Sequence, residues 1–127
     1  MSRNIINASL LSDSTNGRWD ALSMSTGSTY TSEGRLLDAN EGFNTLEIIS
    51  TAGSLEITYE LSQDNSNWYI PYDVDDNALN SIHAAITVTT GKIQVFSAQI
   101  SKYIRIKIAV TSATSTVTAR LITKELA

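Results

Sequence analysis

The chain lacks cysteine and has one histidine and one proline among its 127 residues. Without cysteine it has no disulfide and no thiolate that binds a metal or attacks a substrate. His83 is the only imidazole, so a zinc site would take carboxylates as its other ligands, an uncommon donor set. No G-x-S-x-G motif marks an activated serine. We therefore expect a protein that is not an enzyme and carries no cofactor.

Long apolar runs and an excess of basic residues are also missing. Residues 1–11 include Asn4 and Asn7, so we expect neither a signal peptide nor a membrane span. The net charge of −4 argues against binding to nucleic acid. Residues 36–91 hold nine acids and no Lys or Arg, whereas residues 92–127 hold six basic residues and one acid. Such segments can pair within the fold or between copies.

The clearest positive signal is strict alternation of apolar and polar residues, which is typical of half-buried strands. Three segments show it: 54–61, 103–110 and 116–121. Weaker strand candidates occupy four more: 43–50, 68–71, 84–89 and 92–96. The short connectors at 51–53, 90–91 and 112–115 are predicted to close hairpins, and 62–67 to form a tight polar turn. No helical period is sustained. The pattern predicts an all-β fold, an antiparallel, jelly-roll-like sandwich.

The alternating segments also predict the core. Its expected members are Leu55, Ile57, Tyr59, Trp68, Ile104, Ile106, Ile108 and Leu121. Residues 1–40 differ, because they are rich in Ser, Thr, Asn and Gly and their apolar residues are scattered. We expect residues 1–13 to form an extended N-terminal arm that a partner orders, and residues 14–127 to form a single sandwich domain. The alternative is a strand that docks on its own sheet. The arm's predicted partner contacts are Ile5, Ile6, Leu10 and Leu11.

Two groups of side chains are candidate ligand sites. The acidic loop with Asp73, Asp75 and Asp76 offers oxygens to a hard cation, although a solvated loop explains it more simply, so no metal is expected. Tyr69 and Tyr72 lie next to this loop, and exposed aromatic rings can stack on sugars. They are the candidate glycan-binding residues.

Three stretches carry a resemblance to known proteins. The segment 59–68, with Ser62, Asp64 and Trp68, resembles the S-x-D-G-x-x-W turn of discoidin-like jelly-roll domains. The segment 101–106 (S-K-Y-I-R-I) resembles their A-R-Y-I-R-I strand. Together with the alternating T-V-T-A-R-L ending at 116–121, these stretches are similar to small β-sandwich proteins of phage and prophage structural gene blocks. The absence of cysteine, and Asn65 where glycine is usual, set the chain apart from discoidin domains.

The resemblance implies a function but transfers no site residues. It implies a phage virion structural protein made in the host cytoplasm, specifically a capsid decoration or cement protein on the capsid surface. The expected partner is the major capsid protein or another virion protein. The segregated charges and the polar arm predict further copies of the chain as partners too, with a trimer as the first choice. Neither nucleic acid nor membrane is expected as a partner. The alternative function is a carbohydrate-binding module, or a tail or fibre accessory that binds a host glycan.

Overall fold

The computed structural model describes residues 4–37, 44–87, 91–98 and 101–126. Its strands are β1 (Asn4–Leu10), β2 (Ser12–Asp13), β3 (Gly17–Arg18), β4 (Leu22–Met24), β5 (Thr29–Thr31), β6 (Arg35–Leu36), β7 (Asn44–Ser50), β8 (Ser54–Ser62), β9 (Ser81–Thr87), β10 (Lys92–Phe96), β11 (Tyr103–Ser112) and β12 (Ser115–Leu126). Within these ranges no segment is helical, and none is a helix that could span a bilayer.

The long strands form two antiparallel sheets. The first sheet has the order β1-β12-β7-β10, and β4 pairs with β12 beyond the end of β1. The second sheet has the order β5-β11-β8-β9, and β6 pairs with β11 beyond β5. Strands β2 and β3 form a small separate hairpin. The two sheets enclose one apolar core, so the predicted all-β, jelly-roll-like sandwich is confirmed.

The alternating segments place one side of each strand in the core. In the second sheet, register pairs Ile106 with Tyr59 and Ile108 with Ile57, and all four side chains are at most 1% exposed. Seven of the eight predicted core residues are buried: Leu55, Ile57, Tyr59, Ile104, Ile106, Ile108 and Leu121. Burial of each large aliphatic side chain contributes ~1.5–3 kcal/mol, which makes these rows the main source of stability.

Trp68 is the exception among the predicted core residues. It is only half-buried, and its ring lies on the outward side of the second sheet, 4.6 Å from the Arg105 guanidinium. Segment 68–71 is not a strand, since it makes only the single bridge between Tyr69 and Leu61. The indole therefore stacks on a cation outside the core, an arrangement that satisfies an aromatic face next to water.

The predicted hairpins are wrong, because the short connectors cross between sheets. Strand β7 belongs to the first sheet and β8 to the second, and β11 and β12 are separated in the same way. Strands β9 and β10 also lie in different sheets, and residues 88–90 between them lie outside the described residues. Alternation shows which face of a strand is buried but not which strand is its neighbour. A connector of a few residues spans the ~10 Å between sheets as well as it closes a hairpin.

The N-terminal segment is a docked strand and not a free arm. Strand β1 pairs with β12 along its whole length, from Asn4 opposite Leu126 to Leu10 opposite Arg120. The next residue, Leu11, is 0% exposed, and its backbone N–H donates to the Ala119 carbonyl at 2.9 Å. Ladder hydrogen bonds and this buried side chain hold residues 4–11 on the sandwich. Residues 1–3 of the predicted arm lie outside the described residues.

Candidate binding surfaces

The connection between β8 and β9, residues 63–80, is the tip loop, and Asp64 organises its first turn. The Asp64 carboxylate accepts hydrogen bonds from the backbone N–H groups of Ser66 at 2.9 Å and Asn67 at 2.8 Å. It also accepts from the Asn67 Nδ2 at 2.7 Å and the Ser62 Oγ at 3.0 Å. The bonds from Asn67 and Ser66 hold the pKa of Asp64 well below its ordinary value. This network rigidifies the turn.

Asp73 organises the second turn of the tip loop in the same way. Its carboxylate accepts from the backbone N–H groups of Asp75 at 2.8 Å and Asn77 at 2.9 Å. The Asn77 Nδ2 donates to it at 3.1 Å, and the bonds from Asn77 lower the pKa of Asp73. Asp75 and Asp76 are exposed, and no group of three metal-ligating side chains occurs in the described part of the chain. The Asp73 oxygens hold the loop together.

The tip loop presents apolar side chains to solvent. The exposed fractions are 68% for Tyr69, 57% for Tyr72 and 98% for Val74. Ile70 and Leu79 are each 38% exposed. We call these five residues the tip surface. The structure thus places both candidate glycan-binding tyrosines on the surface, where they are free to stack on a ligand, and their binding to a glycan stays a prediction.

A small cleft lies at the base of the tip surface. It has a volume of about 130 Å³ and is lined by Leu61, Ser62, Gln63, Tyr69, Ile70, Pro71 and Ser101. The polar groups in its wall bond to each other: the Gln63 Nε2 donates to the Ser101 Oγ at 3.1 Å, and this hydroxyl donates to the Ser62 carbonyl at 3.0 Å. The remaining wall is apolar, so the cleft suits an apolar side chain of a partner.

The outward side of the first sheet is a second candidate surface, which we call the aliphatic face. Two rows run across its long strands: Leu10, Arg120, Glu47 and Ile93 form one, and Ala8, Ile122, Thr45 and Val95 form the next. Ile93 is 58% exposed, Val95 61%, and the adjacent Ile49 43%. In its centre, the Arg120 Nη1 donates to the Glu47 Oε1 at 2.8 Å. This much exposed aliphatic surface in one place is typical of an interface.

The outward side of the second sheet, the charged face, is built differently. The Arg105 guanidinium reaches Glu60 Oε1 with its Nε at 2.8 Å and its Nη2 at 2.6 Å. Lys107 lies 3.9 Å from the same oxygen, and Glu56 is exposed on the same strand as Glu60. Trp68 covers Arg105 from above. This face is polar, and its central ion pair is already covered.

The predicted arm contacts fall in different places. Ile5 and Ile6 pair through their backbones with Glu125 and Lys124 in the β1–β12 ladder. Leu10 is half-buried on the aliphatic face, so a partner contact there stays a prediction. Leu11 is fully buried in the core, so the partner contact predicted for it is wrong. It forms part of the sandwich's own interior.

The remaining chemical candidate, His83, lies in the interior of the fold. It is 5% exposed and sits in β9 opposite Ile57. Sequence reasoning missed other buried side chains as well, namely Trp19 and Met24, which are both 0% exposed. Trp19 Nε1 donates to the Asp13 Oδ2 at 2.7 Å. No periodicity in the N-terminal third of the sequence signals these positions.

Comparison with known proteins supports the architecture. No protein-family model and no curated protein matches this chain. The crystal structure of SPBc2 prophage-derived protein YomS is similar, with 10% identity, a TM-score of 0.53, and coverage of 95% of this chain and 96% of that one. A structure of infectious bursal disease virus, Gx strain, is more distant, with 14% identity, a TM-score of 0.46, and coverage of 97% of this chain and 33% of that one. The first likeness establishes a shared fold, and the second is too distant to add to it.

Proposed function

We propose that this chain is a non-catalytic structural protein of a phage virion, specifically a capsid decoration or cement protein. The observation that carries the proposal is the fold, shared over nearly its whole length with a prophage-derived protein. The sequence resemblance to small phage sandwich proteins points the same way. A body made of two packed sheets needs no cofactor to be stiff, and stiffness is what a protein that reinforces a particle has to supply.

The tip surface is the proposed contact with the particle. Tyr69, Tyr72 and Val74 are exposed, and the turns around Asp64 and Asp73 hold the loop that carries them. Because the loop is ordered before binding, association costs little additional conformational entropy. The exposed side chains of the tip surface are apolar, so the partner surface that fits them is apolar as well.

Purified particles test the proposal directly. The chain should be present at stoichiometric copy number, and Val74→Asp should weaken its attachment at least tenfold, because the new charge would be buried against the partner. Glu56→Gln is a matched control on the charged face and should attach normally. Absence of the chain from particles, or a host genome with no phage genes near it, would contradict the proposal.

A second candidate function, binding of a host glycan, is favoured by the exposure of Tyr69 and Tyr72. Two aromatic rings on a rigid loop are suited to stacking on sugar rings, as a carbohydrate-binding module or a tail or fibre accessory requires. The two functions separate by mutation. Glycan binding should be lost in Tyr72→Ala and kept in Val74→Asp, whereas a protein contact should be weakened by both. A glycan array without hits would remove this candidate.

A further inference from the structure

We propose that the aliphatic face binds the same face of a second copy of this chain, forming a two-fold dimer instead of the trimer expected from the sequence. The proposal does not depend on the virion function, since it follows from the arrangement of side chains on the first sheet. A two-fold contact brings one patch against itself, so the patch has to be self-complementary. The aliphatic face meets this requirement in both its charges and its apolar residues.

The charges match when the two-fold axis runs parallel to the strands, between β12 and β7. Rotation about this axis lays β12 of one copy over β7 of the other at the same height along the strands. Arg120 and Glu47 are directly opposite each other in the register of the sheet. Arg120 of each copy therefore faces Glu47 of the other, and the two ion pairs form one cluster of alternating charges.

The apolar residues match under the same rotation. Leu10 and Ile93 lie at the two ends of the row that contains the ion pair, so each faces the other residue in the second copy. In the next row, Ala8 faces Val95 in the same manner. Two sheets that pack face to face lie ~10 Å apart, which brings these side chains into contact. Ile93 and Val95, 58% and 61% exposed in the single chain, lose water in the dimer.

The charged face does not offer an equivalent contact. Its central pair, Arg105 and Glu60, is also opposite in register, but Trp68 already lies over the guanidinium at 4.6 Å. A second copy would have to displace this ring before it reached the ion pair. The aliphatic face is therefore the side of the sandwich on which self-association is expected.

The dimer contact is small. Four strands and the side-chain rows of Ile93, Val95 and Ile49 cover a patch of roughly 20 Å by 20 Å, given the spacings of a β-sheet. That is on the order of 400 Å² on each copy, in the range of weak and transient interfaces. We expect a dimer that forms at high protein concentration, and that forms readily where neighbouring copies are held close together.

A charge-exchange experiment tests the dimer. Glu47→Arg and Arg120→Glu each place like charges face to face, so each variant alone should dimerise at least tenfold more weakly than the unmodified chain. In an equal mixture, the two arginines of the first variant face the two glutamates of the second, so the mixture should dimerise again. Sedimentation equilibrium at concentrations up to about 1 mM, the weak end of the affinity scale, provides the readout.

The controls make every outcome decisive. Circular dichroism checks that both variants fold. This is expected because positions 47 and 120 are surface-exposed, so the like charges that each variant also places side by side within its own sheet cost little stability. Glu56→Arg, the same charge change on the charged face, should leave the dimer intact, and so should Val74→Asp on the tip surface. An unmodified chain that stays monomeric, a trimer, dimerisation that survives in the single variants, or a mixture that stays monomeric would each overturn the proposal.

Discussion

The outward faces of the two sheets differ, although alternating strands build both. On the charged face, Glu60 lies within 4 Å of two cations, and Trp68 shields one of them. On the aliphatic face, one ion pair sits among exposed Ile and Val side chains. Both sheets bury their inner sides in one core, so core packing does not explain why their outward faces differ. A solvated sheet face carries charges along its strands, and exposed aliphatic residues in those positions indicate a partner.

The strongest test of the comparison asks whether β1 is part of the aliphatic face. Leu11→Ala removes a fully buried side chain that directly follows β1 and should lower the free energy of unfolding by about 3–4 kcal/mol. Leu36→Ala is the control, because Leu36 is 54% exposed and its loss should cost under ~0.5 kcal/mol. Urea denaturation measures both. Equal, small effects would mean that β1 is not docked and that the face ends at β12.

The next test addresses the connector between β7 and β8, which links the two sheets. Gly53 has a φ of 78° in the connector between the sheets, and an added Cβ would clash with the Ser112 carbonyl oxygen. Gly53→Ala should cost about 2–3 kcal/mol from left-handed backbone strain and this clash. Gly27→Ala, with a φ of 81° and open space around it, separates strain from clash and should cost less. Thermal unfolding compares the two.

The ion pairs of the two faces are expected to differ in their contribution to stability, by less than the effects above. Glu60 is 12% exposed and contacts Arg105 at 2.6 Å, whereas Glu47 is 33% exposed and contacts Arg120 at 2.8 Å. Glu60→Gln should cost ~1–2 kcal/mol, because a partly buried guanidinium loses its partner, and Glu47→Gln under ~0.5 kcal/mol in the monomer. Denaturation at low protein concentration measures both. A larger loss in Glu47→Gln would reverse the contrast between the faces.

The smallest expected effect concerns the tip loop and its pH dependence. Hydrogen bonds from Asn67 and Ser66 keep the pKa of Asp64 in the folded chain well below the ordinary 3.8. As the pH falls below about 4, the unfolded chain takes up the proton first, so stability from this carboxylate is complete above that pH and is lost towards the folded pKa. Asp64→Asn should flatten the acid limb of the stability curve. An acid limb that keeps its slope in Asp64→Asn would contradict the prediction.

Alternation made the fold class and most of the core predictable. Segments 54–61 and 103–110 show a period of two, and a residue's place in that period decides whether it is buried. The neighbours of each strand were not predictable, since the crossings at 51–53 and 112–115 have the same turn composition as hairpins. Trp19 was missed as a core residue because it stands alone in a polar stretch. Its backbone bonds to Leu11 and Ala119, and its side chain packs in the core. The burial of such isolated residues becomes visible only once the partners of each strand are known.

The candidate surfaces were predictable to different degrees. Tyr69 and Tyr72 were chosen because they lie next to the acidic loop, where aromatic rings can reach solvent, and both are exposed. The role of Asp73 was not recognised. Its carboxylate accepts hydrogen bonds from the backbone of its own loop, and the composition of a loop does not show whether a carboxylate is used for such bonds. The aliphatic face escaped prediction altogether. Its two rows bring together residues from four strands that lie far apart in the sequence, and only the register aligns them.

The pairing of β1 with β12 has a consequence for how the chain acquires its structure. Asn4 lies opposite Leu126, so this ladder closes the largest loop among the described residues. Bringing such distant segments together has a high entropic cost before any contact forms, and folds dominated by non-local pairing reach the native state in milliseconds to seconds. During synthesis β1 emerges long before its partner strand and has to wait for it. We expect the first sheet to assemble last, with residues 120–126 of β12 unpaired on one edge until β1 docks.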